Sequence, residues 1–159
     1  MEEKDLASGK IISVIGPVVD IRFPSDSMPQ MLNAVTIDMG GGKTLTVEVE
    51  QMIGNDTVRC VAMDSTDGLV RGMEAVDTGA SIAVPVGRGT LGRVFNLLGD
   101  AIDQAGPVSY EKKHPIHREA PGFQDQLPAT ELFETGLKVV DLICPYAKGG
   151  KIGLFGGAG

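Results

Sequence analysis

Three runs of strict alternation constrain the first half of the chain more than any other feature. Val19, Ile21 and Phe23 alternate with Asp20 and Arg22; Val35, Ile37 and Met39 with Thr36 and Asp38; Leu45, Val47 and Val49 with Thr46, Glu48 and Glu50. A period of two is that of a strand with one face in a core and one in water. The breaks carry turn chemistry: Pro24-Ser25-Asp26, Gly40-Gly41-Gly42, Gly54-Asn55-Asp56 and Asp67-Gly68. Many short strands at close spacing predict a small barrel or sandwich over residues 9–86. Closure is favoured, because an open sheet of this size leaves edges exposed. Pro17 marks a strand end or bulge. With 4% aromatics and no Trp, the core is built from Val, Ile, Leu and Met.

Beyond Val86 the period changes. Leu91, Val94, Phe95 and Leu98 fall at i, i+3, i+4 and i+7, which predicts a short helix with Thr90 as N-cap and Gly99 at its end. Residues 111–128 contain Pro115, Pro121 and Pro128 without periodicity and read as an extended connector. A second short helix is expected over 138–144, ending before Pro145, then a turn at Gly149-Gly150 and a strand over 151–155. The organisation expected is a flexible N-terminus over 1–8, a barrel over 9–86, and an incomplete second domain over 87–159, with the boundary near 84–88. One strand and two short helices are too little to bury a core of their own.

The chemistry is concentrated at the end of the sequence. A phosphate-binding loop needs a buried strand, a glycine-rich turn and then Gly-Lys-Ser/Thr at the start of a helix. The glycines let successive backbone N–H groups face phosphate oxygens, and the helix N-terminus favours the anion. Ile152-Gly153-Leu154-Phe155 is a fair strand, and Gly156, Gly157, Ala158 and Gly159 are the first half of G-x-x-x-x-G-K-[ST]. The Lys for the terminal phosphates and the hydroxyl for Mg²⁺ do not follow, so the sequence reads as stopping inside such a loop. Taken locally, the same four residues also suit a tail or a hairpin turn, like Gly40 to Gly42, which lie between two alternating strands ahead of Lys43 and read as a hairpin tip.

Other tempting groups have plainer readings. His114 and His117 form H-x-x-H, but Pro115 excludes the helix that would put both rings on one face, so no metal site is expected. Arg88 and Arg93 are expected to be solvated or salt-bridged rather than anion ligands. Met28, Met31, Met39 and Met52 are scattered, as core filler or surface. Cys60 and Cys144 each have apolar neighbours and are expected to be buried, inert thiols. A formal net charge of −7 argues against nucleic acid as a partner. The acidic, polar Met1-Glu2-Glu3-Lys4-Asp5 is unlike a secretory or transit peptide, and no apolar run reaches the length of a membrane span.

Longer motifs, in order, extend this reading. Val84-Pro85-Val86-Gly87, Thr90-Leu91-Gly92-Arg93, Asn96, Leu98-Gly99 and Ile102-Asp103 resemble the segment after the barrel in rotary ATPase subunits. His117-Arg118 and Ala120-Pro121 resemble their connector, and the run from Glu134 to Leu142 resembles the helix before their phosphate loop. With Pro145 and the run from Lys148 to Gly159, nearly the whole chain resembles the F-type ATP synthase β subunit family. The Gly-Gly-Ala-Gly form points to the catalytic β rather than the α subunit, and away from another RecA-like hexameric motor such as a flagellar export ATPase.

The resemblance implies a six-stranded closed barrel followed by the incomplete start of a RecA-like α/β nucleotide-binding domain. It implies an alternating hexamer with α subunits around a central-stalk γ subunit, peripheral on the cytoplasmic face of a bacterial inner membrane without direct insertion. The complete protein is then expected to take ATP or ADP with Mg²⁺ and to make or hydrolyse ATP. Gly156, Gly157, Ala158 and Gly159 would wrap the phosphates. No catalytic or metal-binding side chain is expected within these 159 residues, and by themselves they should bind no nucleotide tightly and hydrolyse none. A non-catalytic barrel that pairs with neighbouring barrels is the alternative.

Overall fold

The alternating runs become strands that close on one another in a computed structural model, which describes residues 6–126 and 131–157. Six strands, β1 (Ser8–Ile15), β2 (Val18–Arg22), β3 (Asn33–Asp38), β4 (Thr44–Gly54), β5 (Thr57–Ala62) and β6 (Glu74–Ser81), form a closed barrel. Around the barrel the order is β1-β2-β5-β4-β3-β6, and each pairing is antiparallel. The fold expected from alternation is therefore present, with every barrel strand paired on both sides.

Register converts alternation into a core. Val19 faces Cys60 and Ile21 faces Val58 across β2 and β5, while Val35 faces Val47 across β3 and β4. All six are fully buried, and Phe23, Ile11 and Leu45 complete the same cluster. Met28 and Met39 pack against it partly buried, whereas Met31 and Met52 are exposed. Gly9 is required by a close approach: a Cβ there would lie 2.6 Å from the Arg22 carbonyl oxygen and 2.9 Å from the Phe23 ring.

The hairpin tips explain their own sequences. Gly40, Gly41 and Gly42 have φ of 77°, 63° and 80°, three successive left-handed residues between β3 and β4. Lys43 and Thr44 lead into β4, so this glycine run is a hairpin tip and not a phosphate loop. Asn55 and Asp56, at φ 49° and 56°, make the primed turn that matches strand twist. Pro17 lies in the β1–β2 turn, where its carbonyl accepts the Ala62 amide at 2.8 Å.

The buried carboxylates Asp20 and Asp77 of the barrel have partners. Asp20 accepts Arg59 Nε at 2.8 Å and Nη2 at 3.0 Å, a two-pronged contact between residues directly opposite in register. Asn33 Nδ2 donates to both oxygens of buried Asp77, at 3.0 and 3.1 Å, and Asp77 also takes the Gly79 amide. No buried side-chain polar atom among the described residues lacks a partner. Burial pushes the Cys60 thiol up to about 12, so it is inert as expected.

The stretch after the barrel departs from the helix expected over 91–98. A single 3-10 turn, Arg88–Thr90, gives way to turns and an isolated bridge between Phe95 and Ala101. Polar side chains here hold backbone in a form that competes with helix. Arg93 donates to both oxygens of Asp103 at 2.6 and 2.8 Å, and Asn96 Oδ1 accepts the amides of Leu98 and Asp100. Thr90 donates to the Gly87 carbonyl instead of capping a helix. Gly92 and Gly99 have φ of 73° and 84°, outside helical values.

The connector also contains structure where none was expected. β7 (Ala83–Val86) pairs antiparallel with β8 (Lys112–Pro115) in a separate two-stranded ribbon. The chain divides into two compact units, the first running through Arg118 and the second Glu119–Gly159. Of the N-terminus expected to be flexible, residues 1–5 lie outside the described residues; Ala7 packs on the core and its carbonyl takes the Asp77 amide at 2.8 Å. Among the described residues, no helix is long and apolar enough to cross a membrane.

Candidate functional site: the approach to the glycine run

The second unit is organised by one carboxylate. Asp141 Oδ1 accepts the Thr135 amide at 3.0 Å and its hydroxyl at 2.7 Å, and Oδ2 accepts the Gly136 amide at 2.9 Å. Thr135 Oγ1 in turn accepts the Leu137 amide at 3.1 Å. Gly136 supplies the left-handed residue that the reversal needs, at φ 78°. These bonds fold the entry of α1 (Lys138–Ile143), which sits where the second helix was expected. The Thr135 hydrogen bonds hold the Asp141 carboxyl below its usual range, followed by that from Gly136. Asp141 was not singled out from sequence. The Thr-Gly before an apolar run with Asp six residues after the Thr was the available signal.

On either side of α1, β9 (Leu132–Phe133) pairs with β10 (Tyr146–Ala147). Lys148 N donates to the Glu131 carbonyl at 2.9 Å, extending the pairing, and its ammonium meets the Glu131 carboxylate at 2.7 Å on the exposed surface. Gly149, at φ 76°, and the Gly150 amide on the Ala147 carbonyl form the expected turn.

The expected strand over 151–155 does not form. Residues 151–157 carry neither strand nor helix, and Phe155 is 100% exposed. A parallel-type buried strand needs paired neighbours and apolar cover on both faces, and this segment has neither. Gly156 and Gly157 are exposed, with nothing within 4 Å of a Cβ built on either. Ala158 and Gly159 lie outside the described residues.

The remaining candidates are placed elsewhere. Arg93 is salt-bridged to Asp103, which holds the Asp103 carboxyl well below the usual carboxylate range and raises the guanidinium. His114 lies in β8, its imidazole pKa lowered by partial burial and by Arg118 and Lys112. His117 Nε2 meets Glu48 Oε2 at 2.9 Å. No group of three or more His, Cys, Asp or Glu able to hold a metal occurs among the described residues. Cys144 is exposed, contrary to the burial expected from its apolar neighbours: α1 buries no residue, so apolar sequence around it does not bring cover.

Comparison with known families bears on the barrel. A family model described as "ATP synthase alpha/beta family, beta-barrel domain" matches residues 11–79. Over those residues the chain is similar to that β-barrel domain. The match spans from within β1 to within β6, so it coincides with the closed barrel seen here. It is common to alpha and beta subunits.

Proposed function

We propose that this chain belongs to the catalytic β subunit of a rotary F-type ATP synthase, which makes ATP from ADP and phosphate at the expense of a transmembrane ion gradient. One observation carries the reading: a barrel of the ATP synthase alpha/beta family is followed, in the same chain, by Lys148-Gly149-Gly150-Lys151 and the run Gly156 to Gly159. The Gly-Gly-Ala-Gly form favours β over α. In this reading Gly156, Gly157, Ala158 and Gly159 contribute backbone N–H groups to the phosphates of ATP or ADP. The side chains that hold Mg²⁺ and the terminal phosphates lie outside these residues. Asp141 and Thr135 fix the start of α1 ahead of the loop. The working assembly would alternate these subunits with α subunits around γ, peripheral on the cytoplasmic face of a bacterial inner membrane.

The test is to read the gene through the codons after Gly159 and to express the longer chain. The expected codons give Val-Gly-Lys-Thr, and the longer chain binds a fluorescent ATP analogue in a Mg²⁺-dependent way that the 159 residues do not. A continuation without Lys and Thr, or a longer chain blind to ATP, would leave the barrel as an assembly module and overturn the catalytic reading.

A further inference from the structure

We propose that Glu48 and His117 form a latch that fastens the strap of chain after β8 to the outer wall of the barrel. Alternation along β4 sends Val47 and Val49 into the core and Glu48 outward. An outward carboxylate on a barrel wall is ordinarily solvated, yet the Glu48 side chain is only 6% exposed. Burial of such a group is costly unless a donor replaces the lost water. The donor is His117, whose Nε2 lies 2.9 Å from Glu48 Oε2 across 69 residues of sequence. A carboxylate only accepts, so Nε2 is the nitrogen that carries the hydrogen.

A second contact supports the same fastening. The Ile116 amide donates to the Ile82 carbonyl at 2.9 Å, and Ile82 is the last buried residue of the barrel unit. Ile116 and His117 thus tie adjacent positions of the strap to two separate points, one beside β7 and one on β4. The β7–β8 ribbon alone would leave its far end attached only through its own pairing, and two-stranded ribbons are marginal in water. With the latch closed, residues 112–118 move with the barrel, and the chain leaves the first unit from a fixed point on its wall. This inference stands whichever subunit identity holds.

Amide hydrogen exchange of the whole chain tests the latch. His117→Ala should speed exchange at Ile116 by about tenfold, the scale of a lost hydrogen bond to a charged group, while barrel amides such as Val35 and Val47 are unchanged. His117→Gln keeps an N–H near the Nε2 position and should recover part of the protection. Adding Glu48→Gln to His117→Ala should add little at Ile116, since the two residues act through one contact. Unchanged exchange at Ile116 in His117→Ala overturns the proposal. Equal loosening of the barrel amides does so as well, because the contact would then serve only barrel stability.

Discussion

The barrel and the segment over 119–157 are both supplied with large apolar side chains, and only the barrel buries them. Phe23 is 2% exposed and Phe155 is 100% exposed. Among the described residues none beyond Ile82 is buried, although Leu132, Phe133, Leu142, Ile143 and Leu154 all follow it. The difference lies in closure. Each barrel strand has two neighbours in register, so every inward residue meets others from opposite strands. Among its described residues the second unit has a 3-10 turn at Phe123–Asp125, one short α-helix and one pair of two-residue strands, which offer no second layer to pack against. Hydrophobic sequence becomes core only when the topology supplies the facing surface.

That contrast can be broken most forcefully with paired substitutions. Phe23→Ala should cost about 3–5 kcal/mol, enough to unfold much of the population, while Phe155→Ala should stay within about 0.5 kcal/mol. Urea unfolding followed by circular dichroism measures both, and similar effects at the two sites would erase the distinction.

A smaller loss is expected where the barrel closes over a charge. Asn33→Ala removes the donor that serves both oxygens of Asp77 and should cost about 2 kcal/mol. Removing both partners with Asn33→Ala and Asp77→Ala together should cost less than the single change, since no buried carboxylate is then left with the Gly79 amide as its one donor. A double variant weaker than either single would show that the pair is not the source of the effect.

Limited proteolysis sharpens the boundary. Cleavage is expected first within 119–126 and 151–157, leaving a resistant core that begins near Ala7 and ends near Arg118. A resistant core that stops at Val86 would place the boundary where the change of sequence period puts it.

The smallest effect concerns Asp141. Its carboxyl is held below the ordinary value in the folded state, so its contribution is present at neutral pH and above the unfolded value. It should fade as pH falls through the lowered folded value. Asp141→Asn should remove this acid dependence of α1 helicity, read by amide chemical shifts of 138–143, without moving the barrel. An α1 that keeps the same acid response in Asp141→Asn would place the titrating group elsewhere.

Much of the barrel was legible because alternation and turn residues are local signals. Val19, Ile21, Val35, Ile37, Leu45 and Val47 all fall on the inward face that their period assigns. The helix over 91–98 was misread for a physical reason. Its apolar spacing suits a helix, but Asn96, Asp103 and the left-handed Gly92 and Gly99 hold turns instead, and five of the side-chain bonds of Asn96 and Asp103 span four or more residues. The β7–β8 pairing joins residues nearly thirty positions apart, which no local period reports. At the candidate site the position of α1 was readable, whereas the Asp141 contacts depend on a turn at Gly136. The strand expected over 151–155 failed because a strand is a property of its neighbours as much as of its own sequence.

Native-state hydrogen exchange along the entire chain tests the contrast most directly. The account predicts that Val35, Val47 and Cys60 amides exchange only through global opening of the barrel, while Val140 and Cys144 amides exchange far faster through local opening. Protection of Val140 and Cys144 equal to that of the barrel would mean that the second unit has a core of its own, and would contradict it.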